Sequence, residues 1–355
     1  MKKGRLKPRG YAFCCFAVIL LFLAGCSLWP SSQGNPVESL VIKPEDFCIF
    51  LFESSEEIYR ANEKDPAMWE ELRHLAAGDE DYAAHYNWLY STFESWDEHR
   101  RAQLREIMTE YHHHPMTEQL IQNGKQGAGL SDVISSIRGD RFFTKHRSTL
   151  VDFYSWYGSN YALPHYQRIL PLLEQKAQTI TDLVEKDFEI VDFLEKESGI
   201  TLKEKPEAIE LLLNMRIYGA SGFYRDKVSL TTIQWNATPE KIWATPFHEI
   251  SHPFFRTFTG SMSFKYLAGK LKKDGELMKM FEDEVPYTWE GWVEENLVEG
   301  FARYLNVQKG IANDVGEGTY IFDREFARAL VEGFDPQKIS LEDFTVRFLK
   351  QKYNL

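Results

Sequence analysis

Two histidines four residues apart constrain this chain more than any other feature. They are His248 and His252 of the pentad His248-Glu249-Ile250-Ser251-His252, set among Ile242, Trp243, Phe247, Phe254 and Phe255. On a helix of 3.6 residues per turn both rings share one face, roughly 40° apart. The apolar neighbours turn that face toward a core, where two imidazoles and a carboxylate without partners are costly. A bound cation removes the cost, and one Zn2+ suits two imidazoles plus a carboxylate. Glu249, beside the first ligand, projects next to the metal, placed to take a proton from an activated water. The bland alternative, a helix with two unrelated surface histidines, fits the apolar flanks poorly. Thr238-Pro239 and Thr245-Pro246 each resemble an N-cap followed by proline at the first helical position. Pro253, directly after the second histidine, predicts a short or bent helix.

No histidine follows His252, so the third ligand is a carboxylate, a rarer group or an upstream residue. Downstream, Trp289 to Tyr304 reads WEGWVEENLVEGFARY, with Glu295 and Glu299 on one helical face and Leu297, Phe301 and Leu305 on an apolar side. The alternative for Glu294, Glu295 and Glu299 is a solvated acidic face. Taken together, HEISH and this helix resemble the gluzincin clan of thermolysin-like zinc peptidases, whose second helix carries Glu-x-x-x-Asp. The resemblance implies Glu295 as zinc ligand and Glu299 as the group that orients the Nδ1 side of His248, with Glu in place of the clan's Asp. The phrase ENLVEGFARY is also similar to the E-x-L-V-R-A helix of an uncharacterised bacterial HExxH domain family, although Glu299 stands where that family has Arg. These resemblances cover residues 205–355 at most. Tyr320, closing the glycine-bearing loop GEGTY, is the candidate oxyanion stabiliser, against an ordinary packing role. His112-His113-His114 is read as a surface feature, because consecutive residues point apart.

The N-terminus reads as an address. Residues 1–10 are basic, and residues 11–24 are apolar and uncharged, shorter than the roughly 20 residues that span a bilayer. The run ends in Leu23-Ala24-Gly25-Cys26, which resembles the lipobox of bacterial lipoproteins. That resemblance implies acylation of Cys26 and cleavage before it, hence a lipid-anchored protein of the bacterial cell envelope. An aspartate at position 27 would favour inner-membrane retention; Ser27 leaves the outer membrane of a diderm, or otherwise the outer face of the plasma membrane, as the expected location. Of the four cysteines, Cys14 and Cys15 lie in the apolar run and Cys48 is left unpaired, so no disulfide framework is expected. The net charge is −12, and −17 without the five cations of the first 25 residues. A body this acidic disfavours nucleic-acid partners.

Organisation follows from these segments: a signal peptide over 1–25, a tether over 26–44 rich in Ser, Pro and Gly, a mainly helical region over 45–204, and a catalytic region over 205–355. Phe47 to Phe52, FCIFLF, reads as a buried strand, although periodicity alone does not exclude a helix. His165 to Glu197 carries one apolar helical stripe that Pro171 interrupts early and Gly199 ends. Ile209 to Ile217 and Val228 to Trp235 read as strands, the second an edge able to pair with an extended peptide. Helical patterns return around 239–258, 289–308, 322–333 and 340–353. The expected fold is α+β, a helix-dominated zincin-like domain with a small sheet packed on the HExxH helix. The expected function is a zinc metallopeptidase acting on peptide or protein substrates. A cell-wall peptide amidase with the same site, and a non-catalytic envelope binding lipoprotein, are the alternatives.

Overall fold

The computed structural model describes residues 39–184, 188–216, 220–238, 242–283 and 288–355. Cys26, the leader-like run and most of the tether lie outside the described residues, as do Pro239 and Ile217. The fold is α+β and dominated by helices. The described chain forms two compact units, residues 39–184 with 206–238 and residues 188–205 with 242–355. The sequence reading placed a single boundary at 204/205. The strands of 206–238 instead join the N-terminal helices, because their hydrogen-bonding partner is an N-terminal strand.

That partner is β1, Ser39–Pro44, so the last part of the expected tether is sheet. β2 (Ala208–Asn214) runs parallel to β1 and, on its other side, parallel to β4 (Val228–Gln234). β3 (Gly222–Arg225) closes the order β1-β2-β4-β3 as an antiparallel edge. A tight turn at Asp226, φ +51°, joins it to β4. The strand expected to be an edge, Val228 to Trp235, is therefore interior. Five consecutive buried residues in β4 fit a strand covered on both faces.

The helices of this unit are α1 (Phe47–Tyr59), α2 (Pro66–Ala76), α3 (Glu80–Glu94), α4 (Glu98–Glu110), α5 (His113–Gln122), α6 (Leu130–Gly139), α7 (Arg147–Tyr157) and α8 (Leu163–Leu183). The FCIFLF run opens α1 and is not a strand. Every α1 residue from Phe47 to Ile58 is buried, so the helix is enclosed all round and shows no amphipathic period to read. Its polar half is satisfied from neighbouring elements. Ser54 bonds the Tyr157 hydroxyl at 2.8 Å and Ser55 that of Tyr154 at 3.0 Å. Arg216 spans Glu53 and Glu57 at 3.3 and 3.2 Å. Glu56 accepts from the backbone N–H of His113 at 2.8 Å and lies 3.1 Å from its Nδ1.

The histidine triplet is thus not a surface feature. His113 and His114 are buried in the first turn of α5. His114 stacks on Phe223 with centroids 4.7 Å apart, and its Nε2 donates to the Gly222 carbonyl at 3.1 Å. Burial pushes its pKa down to about 3, helped by the neighbouring His113. α8 runs on through Pro171, which is exposed; the carbonyl that proline frees belongs to exposed Gln167 and can meet water. The apolar stripe of 165–197 is two helices, with Ile169, Leu173, Ala177 and Ile180 buried in the first.

The other unit holds α9 (Ile190–Ser198), α10 (Ala244–Thr259), α11 (Met262–Leu271), α12 (Gly275–Asp283), α13 (Trp289–Lys309), α14 (Asp323–Gly333) and α15 (Leu341–Tyr353). Gly199 and Gly310 end α9 and α13 at φ +70° and +79°, a backbone region that glycine enters without strain. α10 and α13 pack together, with Phe255 against Phe301 at 5.6 Å. Among the described residues, no helix is long and apolar enough to cross a membrane.

Candidate metal centre

α10 carries the pentad. Trp243 takes the N-cap position, and Thr245 and Pro246 fall within the first turn, so Thr245 is not the cap. Proline costs nothing there, because first-turn N–H groups have no partner within the helix. The helix does not stop at Pro253; it runs on to Thr259, sixteen residues in all. Ser251 Oγ bonds the Phe247 carbonyl and Thr257 Oγ1 that of Phe254, so hydroxyls supplement the ladder around the proline.

The rings of His248 and His252 stand 5.2 Å apart between centroids and nearly perpendicular, at 78°. Across from them, α13 presents Glu295, 1% exposed. Its Oε2 lies 3.2 Å from His248 Nε2, and its Oε1 lies 3.7 Å from His252 Nε2. One ligand atom from each residue falls within 4.8 Å of the others. A tetrahedral ion with bonds near 2.0 Å needs donors roughly 3.3 Å apart, and the two Glu295–imidazole distances, 3.2 and 3.7 Å, lie near that separation.

Each histidine has a second carboxylate behind it. His248 Nδ1 is 2.9 Å from Glu299 Oε2, and His252 Nδ1 is 3.1 Å from Glu294 Oε1. An ionised carboxylate only accepts, so both Nδ1 atoms donate and both Nε2 lone pairs face Glu295. Lone pairs converging on a carboxylate need a cation between them. Without a metal, a proton serves. Burial opposes the charged His248 ring, but the hydrogen bonds to Glu295 and Glu299, with the charge of Glu249, hold its pKa well above the usual range. Glu249 is buried on the same helix, and its Oε1 has no hydrogen-bond partner among the described residues.

The carboxylates behind the histidines are themselves held. Arg303, one turn along α13 from Glu299, reaches it at 2.8 Å, Asp323 at 2.9 Å, Thr319 at 2.6 Å and the Val315 carbonyl at 3.1 Å. Thr319 Oγ1 adds a bond to Glu299 at 3.2 Å. Burial opposes the Glu299 charge, yet His248, Arg303 and Thr319 hold its pKa down at about 2. Glu294 accepts from Thr259 at 2.5 Å and Arg256 at 3.4 Å, and with His252 these keep its carboxyl below the ordinary range despite burial. Gly300 lets α14 approach this face: a Cβ there would meet the Asp323 carbonyl oxygen at 2.7 Å.

Comparison with family models, with curated proteins and with solved structures finds no match to this chain.

His248, Glu249, His252, Glu295 and Glu299 therefore lie together, each carried by the helix its spacing predicted. Tyr320 is buried in the loop between α13 and α14, next to the Thr319 that bonds Glu299. Sequence reasoning missed the His252 partner, Glu294, which it left within an acidic face. It also missed Arg303, Thr319 and Asp323. The one available signal was the i,i+4 spacing of Glu299 and Arg303.

Proposed function

We propose that this chain is a zinc-dependent hydrolase of the cell envelope, anchored by acylated Cys26, that cleaves amide bonds in peptides. The observation that carries the reading is the orphaned Oε1 of buried Glu249 beside two histidines and a glutamate at ligand spacing. Zinc held by His248, His252 and Glu295 would supply Lewis acidity, polarising a carbonyl and acidifying a water. Glu249 is the proton carrier: it accepts a proton as the water oxygen adds to the amide carbon, and returns it to nitrogen as the C–N bond breaks. The products are a carboxylate and an amine. Glu299 and Glu294 fix the two rings, and Arg303 with Thr319 fixes Glu299. Tyr320 is proposed to donate to the developing oxyanion.

The test uses purified chain with a panel of peptides that includes cell-wall peptides. Glu249→Gln is expected to retain zinc and to lose roughly 10²–10⁴-fold in turnover. Wild-type rates from that variant, or no hydrolysis by zinc-loaded wild type across the panel, would refute the proposal.

A further inference from the structure

α11 and the residues just after it carry a surface at odds with the rest of the chain. From Arg256 to Lys273 the sequence holds five cations (Arg256, Lys265, Lys270, Lys272 and Lys273) and no Asp or Glu, in a protein of net charge −12. Ser261 caps the helix, accepting from Phe264 N–H at 3.2 Å. One face is core: Phe264, Leu267, Ala268 and Leu271 are buried, and the Ala268 carbonyl accepts from Trp289 Nε1 at 2.7 Å. The other face exposes Met262 at 83% and Tyr266 at 69%, the two most exposed large apolar side chains among the described residues. They lie one helical turn apart and so form a single patch. None of Lys265, Lys270, Lys272 or Lys273 lies within 4.0 Å of a carboxylate among the described residues. Lys270 Nζ instead sits 4.8 Å from the centre of the Tyr266 ring.

We propose that this face of α11, with Lys265, Lys270, Lys272 and Lys273, docks onto the anionic phospholipid headgroups of a bilayer. An exposed thioether and phenol gain from entering the headgroup boundary, where tyrosine places its ring among acyl carbons and its hydroxyl in water. Flexible lysine stems let the ammonium groups stay at phosphate level. Near an anionic leaflet each lysine contributes about a fivefold factor in partitioning. Apolar side chains and cations on one exposed face are the two components of interfacial binding. The charge selects the partner: an anionic surface complements this patch, while the acidic remainder of the chain is repelled by it. The acyl anchor expected at Cys26 would keep the bilayer at high effective concentration, so a weak surface suffices. The docking surface itself does not depend on the hydrolase reading.

The full chain, carrying Met262→Cys labelled with a polarity-sensitive fluorophore, is reconstituted with vesicles. Cys14, Cys15 and Cys26 are replaced by Ser in every variant, which removes competing thiols and the acyl anchor, and native Cys48 does not compete for the label, since it is fully buried and burial pushes its thiol up to about 12. The label is expected to shift to the blue with vesicles containing phosphatidylglycerol, to revert on raising the salt, and to stay unshifted with pure phosphatidylcholine. A label at Leu75→Cys, exposed in the sheet-containing unit, is expected to show no shift. Charge reversal of the four lysines to Glu is expected to weaken partitioning at least a hundredfold while leaving the melting temperature near wild type. No shift with phosphatidylglycerol, or an equal shift with phosphatidylcholine, would overturn the proposal. So would a shift that needs no vesicles and grows with protein concentration, which would assign the face to a second copy of the chain.

Discussion

The Nδ1 nitrogen of His252 lies 3.1 Å from Oε1 of Glu294, the residue just before the candidate ligand Glu295. The same helix therefore supplies a candidate ligand and, one position earlier, the carboxylate that holds the ring of another candidate. Thr259 and Arg256 hold Glu294 from α10, so α10 and α13 are joined by polar bonds as well as by Phe255 and Phe301. Groups behind metal ligands are worth about 10–100-fold in affinity. Glu294→Ala is expected to weaken zinc binding by that factor, measured by chelator competition. Glu294→Gln, which can still accept from Nδ1, is expected to lose less. Unchanged affinity in the alanine variant would contradict this assignment.

Arg303 ties the site to its surroundings. Asp323 is fully buried, and burial raises its pKa even though Arg303 and the Thr319 N–H oppose the rise. Removing the guanidinium leaves Asp323 and Glu299 without it, at a cost of about 3–5 kcal/mol. Arg303→Ala should fall by that amount in denaturant unfolding, and adding Asp323→Asn should recover part of it. If the double variant is no more stable than the single one, the Asp323 pairing is not what Arg303 contributes.

The pKa shifts fix a pH dependence. The metal-free His248 pKa is raised above its unfolded value near 6.5. Its contribution to stability is fully present below that value and is lost as pH rises through the folded pKa. The Glu299 pKa is depressed from 4.5 to about 2. Its contribution is present above 4.5 and is lost as pH falls toward 2. For these two groups the metal-free site is therefore most stable between about pH 4.5 and 6.5. Under the proposed ligation zinc displaces the His248 proton, so its affinity is expected to rise with pH up to the folded pKa. Thermal melts with and without zinc across pH 5–9 should show a zinc-induced rise in Tm that grows with pH. A rise independent of pH would show that His248 is not displaced.

The site was more legible in the sequence than the fold around it. His248, His252, Glu295 and Glu299 obey i,i+4 spacing, which survives whatever the helices pack against. Glu294 was not legible, because its role depends on where α10 crosses α13 and no spacing within α13 encodes that. The FCIFLF run failed for a related reason. Periodicity reports one buried face, and α1 is buried on every side, its Glu53, Glu56 and Glu57 included. The same helix hid the fate of His113, whose carboxylate partner Glu56 lies 57 residues earlier in the chain. The β4 strand was readable, but its interior position follows from pairing with β2 and β3, which local pattern does not specify.

Zinc content is the measurement closest to the centre of this account. Purified wild-type chain and Glu249→Gln, dialysed after zinc loading and measured by elemental analysis, should each hold one zinc per chain. His248→Ala, His252→Ala and Glu295→Ala, folded as judged by circular dichroism, should hold little or none. Wild type without zinc, or a folded Glu295→Ala variant that keeps its full complement, would contradict the three-residue site.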